Sequence, residues 1–245
     1  ALEHGQVRQS RSAGSLFAGD FAGVLSVDAE FSGSRLGIGV MDNLEGEVVS
    51  LKGTTWAVPS DGKPREVAGS DKVAFGIAAH GGIRHSLRIP TGSDIAGISA
   101  ALDNTLSRHH IDHEDVVCAV EIVGSFEDVV LRTIHRPDYE GEPLGEIIDD
   151  EIRFSFAQWQ GTLVGFRYPD ATAGMTIPGL HLHGISEDRN SGGHVRNLVT
   201  RDVTAHVWLD DLVLEAESEG SDEDVAIDFD RYEGSVGERT EREES

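Results

Sequence analysis

The chain has 245 residues, enough to bury a sizeable core as one large domain or two small ones without covalent staples. Its 44 acidic against 20 basic residues give a formal net charge of −24, which repels nucleic acid and anionic membrane alike and excludes both as expected partners. A single cysteine, Cys118, rules out an internal disulfide and any four-cysteine zinc site, so a metal would have to use histidine and carboxylate.

No run of about 18 apolar residues occurs, and the first residues, ALEHGQVRQS, lack the basic-then-apolar pattern of a signal peptide. A soluble, cytoplasmic protein is expected. Lysine is confined to Lys52, Lys63 and Lys72, while acids are spread through the chain as well as gathered near its end. Such a surface suits high salt, where the Debye length shrinks to about 3 Å at 1 M and self-repulsion is screened, and a halophilic source is the expectation.

In chain order, residues 11–29 carry weak amphipathic spacing (Leu16, Phe17, Val24, Leu25) and read as a short helix and loop. LGIGVMDNLEGEVVSL (36–51) alternates apolar stretches with Asp42-Asn43 and Glu45-Gly46 turn signals, a β-meander that puts Glu47 at the start of a strand. A Gly/Pro-rich loop (59–64) leads to a strand pair, VAFGIAAH and HSLRI. SDIAGISAALDNTLSRHH opens with a Ser93/Asp94 cap and keeps Ile95, Ile98, Leu102 and Leu106 at helical spacing.

DVVCAVEIVGSFEDVVLRTI reads as a hairpin turning at Gly124-Ser125, with Arg132 near the end of its second arm. FSFAQWQGTLVGFRYP and HVRNLVTRDVTAHVWLDDLVL are strand-like. Beyond Glu215 the text turns acidic and low in apolar content, and most of it is expected to be solvated or mobile. Within it, Ile227, Phe229 and Tyr232 of AIDFDRYEG could dock onto the body.

The densest chemistry lies in PGLHLHGISEDRNSGGHV (178–195). On a strand His181 and His183 leave the same face, with Leu182 opposite. The following Asp188, Asn190, Ser191, Gly192 and Gly193 supply turn residues that can return His194 beside the pair. Three protein ligands with open positions are the usual arrangement of a catalytic divalent metal, whereas structural zinc is normally closed by four. His109, His110 and His113 follow the best helix, where polar or cationic side chains suit solvent and dipole. His80, His85, His135 and His206 stand singly and read as surface or hydrogen-bonded residues.

His181, His183 and Glu187 also satisfy H-x-H-x-x-x-E, which is similar to the first metal motif of cupins, with GGHVRN as an echo of their second. On that reading Glu187 is a fourth ligand of an oxygenase or isomerase; otherwise it is a solvated turn residue. The spacing is off by one: Gly174 stands where a glycine would be wanted at 175. A third reading is a non-catalytic metal-binding module, which a fourth ligand from Glu187 or Asp188 would favour.

A fuller match comes from GTLVGFRYPDATAGMTIPGLHLHGISEDRNSGGHV, which resembles the metal-binding region of α-acetolactate decarboxylases. LEGEVVSLKG and FEDVVLRTI resemble two further blocks of that family in the expected order, so the likeness runs from about residue 7 to 235. The resemblance implies that His181, His183 and His194 hold zinc, or another divalent ion, and that Glu47 and Arg132 line the site. It also implies a glutamate near the C-terminus, best matched by Glu233 of FDRYEG, and a homodimer. One departure is Val40 of Gly37-Ile38-Gly39-Val40, where the family usually has threonine, so a hydroxyl is lost.

The implied reaction, loss of CO2 from 2-acetolactate, a 2-hydroxy-3-oxo acid, to give acetoin, is consistent with these residue types. A metal chelated by ketone and hydroxyl oxygens can stabilise the enediolate left behind, with no organic cofactor. The scarcity of lysine disfavours a Schiff-base route, and no glycine-rich phosphate loop suggests a nucleotide. Arg132 can clamp the substrate carboxylate, Glu47 can donate the quenching proton if burial raises its pKa, and Glu233 would be a second acid/base group.

The expected fold is mixed α/β of the α+β kind, with two mostly antiparallel or mixed sheets, few helices and the metal site on a hairpin of the second half. One catalytic unit is expected over 1–235, with an N-terminal half of about 1–135 and a metal-binding half of about 136–235, before a disordered acidic tail at 236–245.

Overall fold

The computed structural model describes residues 3–214 except 24 and 174. The chain starts with β1 (Gly5–Gln9), α1 (Ala13–Phe17), β2 (Leu25–Ser26) and α2 (Val27–Phe31). The meander follows as β3 (Leu36–Met41), β4 (Glu47–Leu51) and β5 (Thr54–Val58), then β6 (Arg65–Glu66), β7 (Lys72–His80) and β8 (His85–Leu87). The second half contains α3 (Ile95–Arg108), β9 (Val117–Thr133), α4 (Leu144–Asp149), β10 (Ile152–Tyr168), β11 (Gly179–Ser186) and β12 (Gly192–Leu214).

The strands form two groups, as expected, but the groups are joined. β3 pairs with β4 and β7, and β4 with β5, all antiparallel; β9 pairs with β10 and β12, and β11 bridges β10 and β12, so the second group closes on itself. β1 links the two, antiparallel to β7 and parallel to β12, which makes one mixed twelve-stranded network.

Two local expectations are corrected. Gly124-Ser125 is not a hairpin turn: β9 runs through it as one strand, and both of its halves pair with β10 and β12. Gly124 has φ +149°, and a Cβ there would stand 2.0 Å from the Asp202 carbonyl oxygen, so glycine serves close strand approach at a bend. β8 pairs with β12 and not with β7, because Gly81 and Gly82 turn the chain away with positive φ.

The helix reading holds where capping is clear. The Asp94 carboxylate accepts the Gly97 N–H, and Ile98, Leu102 and Leu106 face a core with Val120, Ile122 and Leu209. Residues 11–29 give two short helices, each capped by a serine, Ser12 and Ser26. No helix among the described residues is long and apolar enough to cross a membrane. The other large core packs Ile38, Val40, Phe75 and Ile77 against Val164, Phe166 and Tyr168, so the two strand groups meet face to face above β11.

Candidate active site

β11 has the alternation read from its text. His181 and His183 lie opposite Phe166 and Val164 of β10 and share their side, while Leu182 joins the other core. The return of the chain after the exposed turn 187–190 makes His194 the register partner of His183, and Arg132 the partner of His194 on the far side. Gly193 allows this with φ +140°; a Cβ there would stand 2.6 Å from the Arg132 carbonyl oxygen. Three imidazoles and one guanidinium are thereby placed side by side, all buried.

The ring centres of His183 and His194 are 5.3 Å apart, and those of His181 and His194 are 6.4 Å apart. With Zn–N bonds of 2.0–2.1 Å and tetrahedral angles, two coordinating imidazoles have centres about 5 Å apart, a spacing that His183 and His194 meet and that His181 and His194 exceed by more than 1 Å. Carbonyls fix two of the rings. His181 Nε2 donates to Ile177 O at 2.9 Å and His183 Nδ1 to Val48 O at 2.7 Å, which leaves His181 Nδ1 and His183 Nε2 as the lone-pair atoms. Burial, Arg132 and the other two imidazoles hold His194 well below the ordinary histidine value, in the neutral form that binds metal.

Glu47 enters from the other strand group. At the start of β4 and only 2 % exposed, it places Oε2 3.5 Å from His183 Nε2. Burial raises its pKa to about 7; Arg132 opposes the shift and Glu151 adds to it. Its register partner on β3 is Val40, which lines an apolar cavity together with His181 and His183.

Arg132 is held by a group that has no motif in the sequence. The buried Glu151 side chain lies 3.6 Å from Arg132 Nη1, 3.0 Å from Arg196 Nη2 and 2.5 Å from Arg153 Nη2. Burial alone would raise the Glu151 pKa, but Arg132, Arg196 and Arg153 outweigh it and the net shift is downward.

Other candidates lie elsewhere. Glu187 is exposed, and the Asp188 carboxylate accepts from Ser186 Oγ and Asn190 N–H within the turn. Neither supplies a fourth ligand of the kind the cupin and closed-site readings require. Glu233, Ile227, Phe229, Tyr232 and the tail lie outside the described residues. His113, Glu114 and Asp170 bring ligand atoms within 4.8 Å of one another, in a more exposed cluster where Glu114 already accepts the Asp170 and Ala171 N–H groups.

The family model described as alpha-acetolactate decarboxylase matches residues 8–216. The chain belongs to that family. Among its relatives, an alpha-acetolactate decarboxylase of Methanosarcina mazei is 32% identical over 183 residues, covering 75% of this chain and 62% of that protein. One from Brevibacillus brevis is 30% identical over 184 residues, again 75% of this chain and 62% of that protein. The matched stretch thus spans under two thirds of the length of these two relatives. The crystal structure of alpha-acetolactate decarboxylase from Bacillus subtilis strain 168 superposes with TM-score 0.74 at 26% identity, covering 87% of this chain and 90% of that one.

Within this alpha-acetolactate decarboxylase fold, Glu151 is the site residue that sequence reasoning missed. It ends the run Asp149-Asp150-Glu151, which reads as a solvated acidic turn. A signal did exist in the placement of Arg132 and Arg196 on strands, since buried arginines need a buried acid.

Proposed function

We propose that the chain decarboxylates 2-acetolactate to acetoin and CO2 as a metal-dependent carboxy-lyase, with zinc the expected ion on His181, His183 and His194. The observation that carries this reading is the convergence of Glu47 and Arg132, from the first half, with the histidine trio of the second half in one buried place. It favours one catalytic unit over 1–235 to which both halves contribute.

A divalent cation on the trio would act as a Lewis acid toward the ketone and hydroxyl oxygens of the reactant. Arg132, fixed by Glu151, offers a planar cation to the carboxylate and orients the C1–C2 bond that breaks. Glu47, whose pKa burial raises to about 7 in the metal-free chain, would deliver its proton to C2, where the bonding pair is left. Val40 beside it offers methyl groups and no hydroxyl, so Glu47 has no side-chain hydrogen bond from that position. Glu233 is proposed as a second acid/base group; the homodimer, the cytoplasmic setting and the high-salt surface belong to the same reading.

Acetoin release from racemic acetolactate at high salt, followed with and without a chelator, tests the proposal. Activity lost on chelation and restored by zinc is expected. A fully metal-loaded protein that releases no CO2 would sink it.

A further inference from the structure

The cavity beside the histidines has a second wall that the proposed mechanism does not use. Its apolar part is formed by Ile38, Val40, Phe75 and Ile77, and Tyr168 lines the same cavity beside His181 and His183. Tyr168 ends β10 with Gly179 as its register partner, two positions along from the Phe166–His181 pair, so its side chain leaves the same face as the histidines. It is 3 % exposed, and its hydroxyl has no hydrogen-bond partner among the described residues.

A buried hydroxyl without a partner burdens a fold, and phenylalanine would fill the same space beside Phe166 without that burden. Gln9 repeats the pattern in the same wall: its Nε2 donates to the Arg11 and Met175 carbonyls, while its Oε1 has no partner among the described residues. The cavity holds only about 30 Å³, so its apolar wall with one donor hydroxyl and one acceptor oxygen suits a single small group, such as the acetyl end of a reactant held at the histidines.

We propose that Tyr168 is a substrate-contacting residue, its hydroxyl donating a hydrogen bond to the ketone oxygen of the 2-hydroxy-3-oxo acid seated at the histidine trio. The assignment rests on the decarboxylase reading above and extends it. Arg132 neighbours His194, whereas Tyr168 lies toward His181, so a reactant with its carboxylate on Arg132 turns its acetyl end to the tyrosine. Burial, with Glu30 and Asp210 adding, pushes the phenol well above its ordinary value, and the group remains a donor at any working pH.

The test is Tyr168→Phe in the full chain loaded with zinc. The kcat/KM for acetolactate is expected to fall about tenfold, the size of one hydrogen bond between uncharged partners, with zinc content unchanged and Tm equal or higher. The inhibition constant of 2,3-dihydroxy-2-methylbutanoate, which has an alcohol in place of the ketone and cannot lose CO2 by this route, is expected to weaken by a similar factor. Unchanged kcat/KM and inhibitor affinity overturn the assignment. So does a variant that loses zinc or melts earlier, since the hydroxyl then serves the fold. A wild-type protein that forms no acetoin removes the underlying reading itself, a result distinct from an active wild type matched by Tyr168→Phe.

Discussion

His194 and Arg132 are register partners across β12 and β9, so an imidazole of the trio and the guanidinium beside it leave the same face of one sheet. The arrangement places a fixed positive charge next to histidines that must stay neutral to bind a cation, and Arg132 is among the groups that lower the pKa of His194. One carboxylate that compensates this cation in its buried site is Glu151, 3.6 Å away.

Replacing Glu151 by alanine should therefore do more than remove one contact. It leaves Arg132 and Arg196 buried without their shared carboxylate, a loss of about 3–5 kcal/mol for a broken buried pair. Thermal unfolding should show a Tm lowered by roughly 6–20 °C. The KM for acetolactate should rise as Arg132 loses its fixed orientation, and an unchanged KM would separate Glu151 from the clamp.

Glu47→Gln keeps the shape of the side chain and removes the proton it donates. Turnover should fall by at least about 100-fold, the lower end for acid/base catalysis, while metal content measured by atomic absorption is unchanged. Near-normal turnover would take Glu47 out of the chemistry.

The same residue makes a pH prediction for the metal-free protein. The folded pKa of Glu47 is raised from 4.5 to about 7, so the folded state binds the proton more tightly than the unfolded chain. Its stabilising contribution is complete below about pH 4.5 and is lost as pH rises through 7, a change of about 3 kcal/mol. Urea unfolding should show Glu47→Gln gaining on the wild type as pH rises from 4.5 to 8.5. A stability difference that stays flat over that range would place the wild-type carboxyl near its ordinary value.

With a net charge of −24, self-repulsion within the folded chain should be relieved by salt. Tm measured in 2 M NaCl should exceed that in 50 mM NaCl by at least several degrees. Equal values would argue against a surface adapted to high salt.

The sequence carried those parts of the site whose signals are local. The H-x-H spacing on a strand, the glycine pair before His194 and the block around Glu47 each depend on neighbouring residues, and the structure places them as read. Arg132 was found through a short block, although the strand holding it was misread as one arm of a hairpin, because Gly124-Ser125 looks the same whether a chain turns or bends past a neighbour. The link through β1 and the pairing of β8 with β12 depend on partners more than a hundred residues away, and Glu151 gathers Arg132 and Arg196 from two other strands, 19 and 45 residues distant. Glu151 and Tyr168 had no motif, since an acid in an acidic run and an aromatic in a strand are both ordinary until their surroundings are known.

The pairing of His183 with His194 also sets where evolution can edit the length of this chain. Extra residues at the exposed tip, 187–190, can loop into water and leave the ladder untouched. A single residue inserted between Gly193 and His194 would invert the alternation of everything after it and point the third imidazole into the opposite core. Natural insertions and deletions should therefore crowd at the tip and stop abruptly at Gly192, a boundary visible in any collection of related genes.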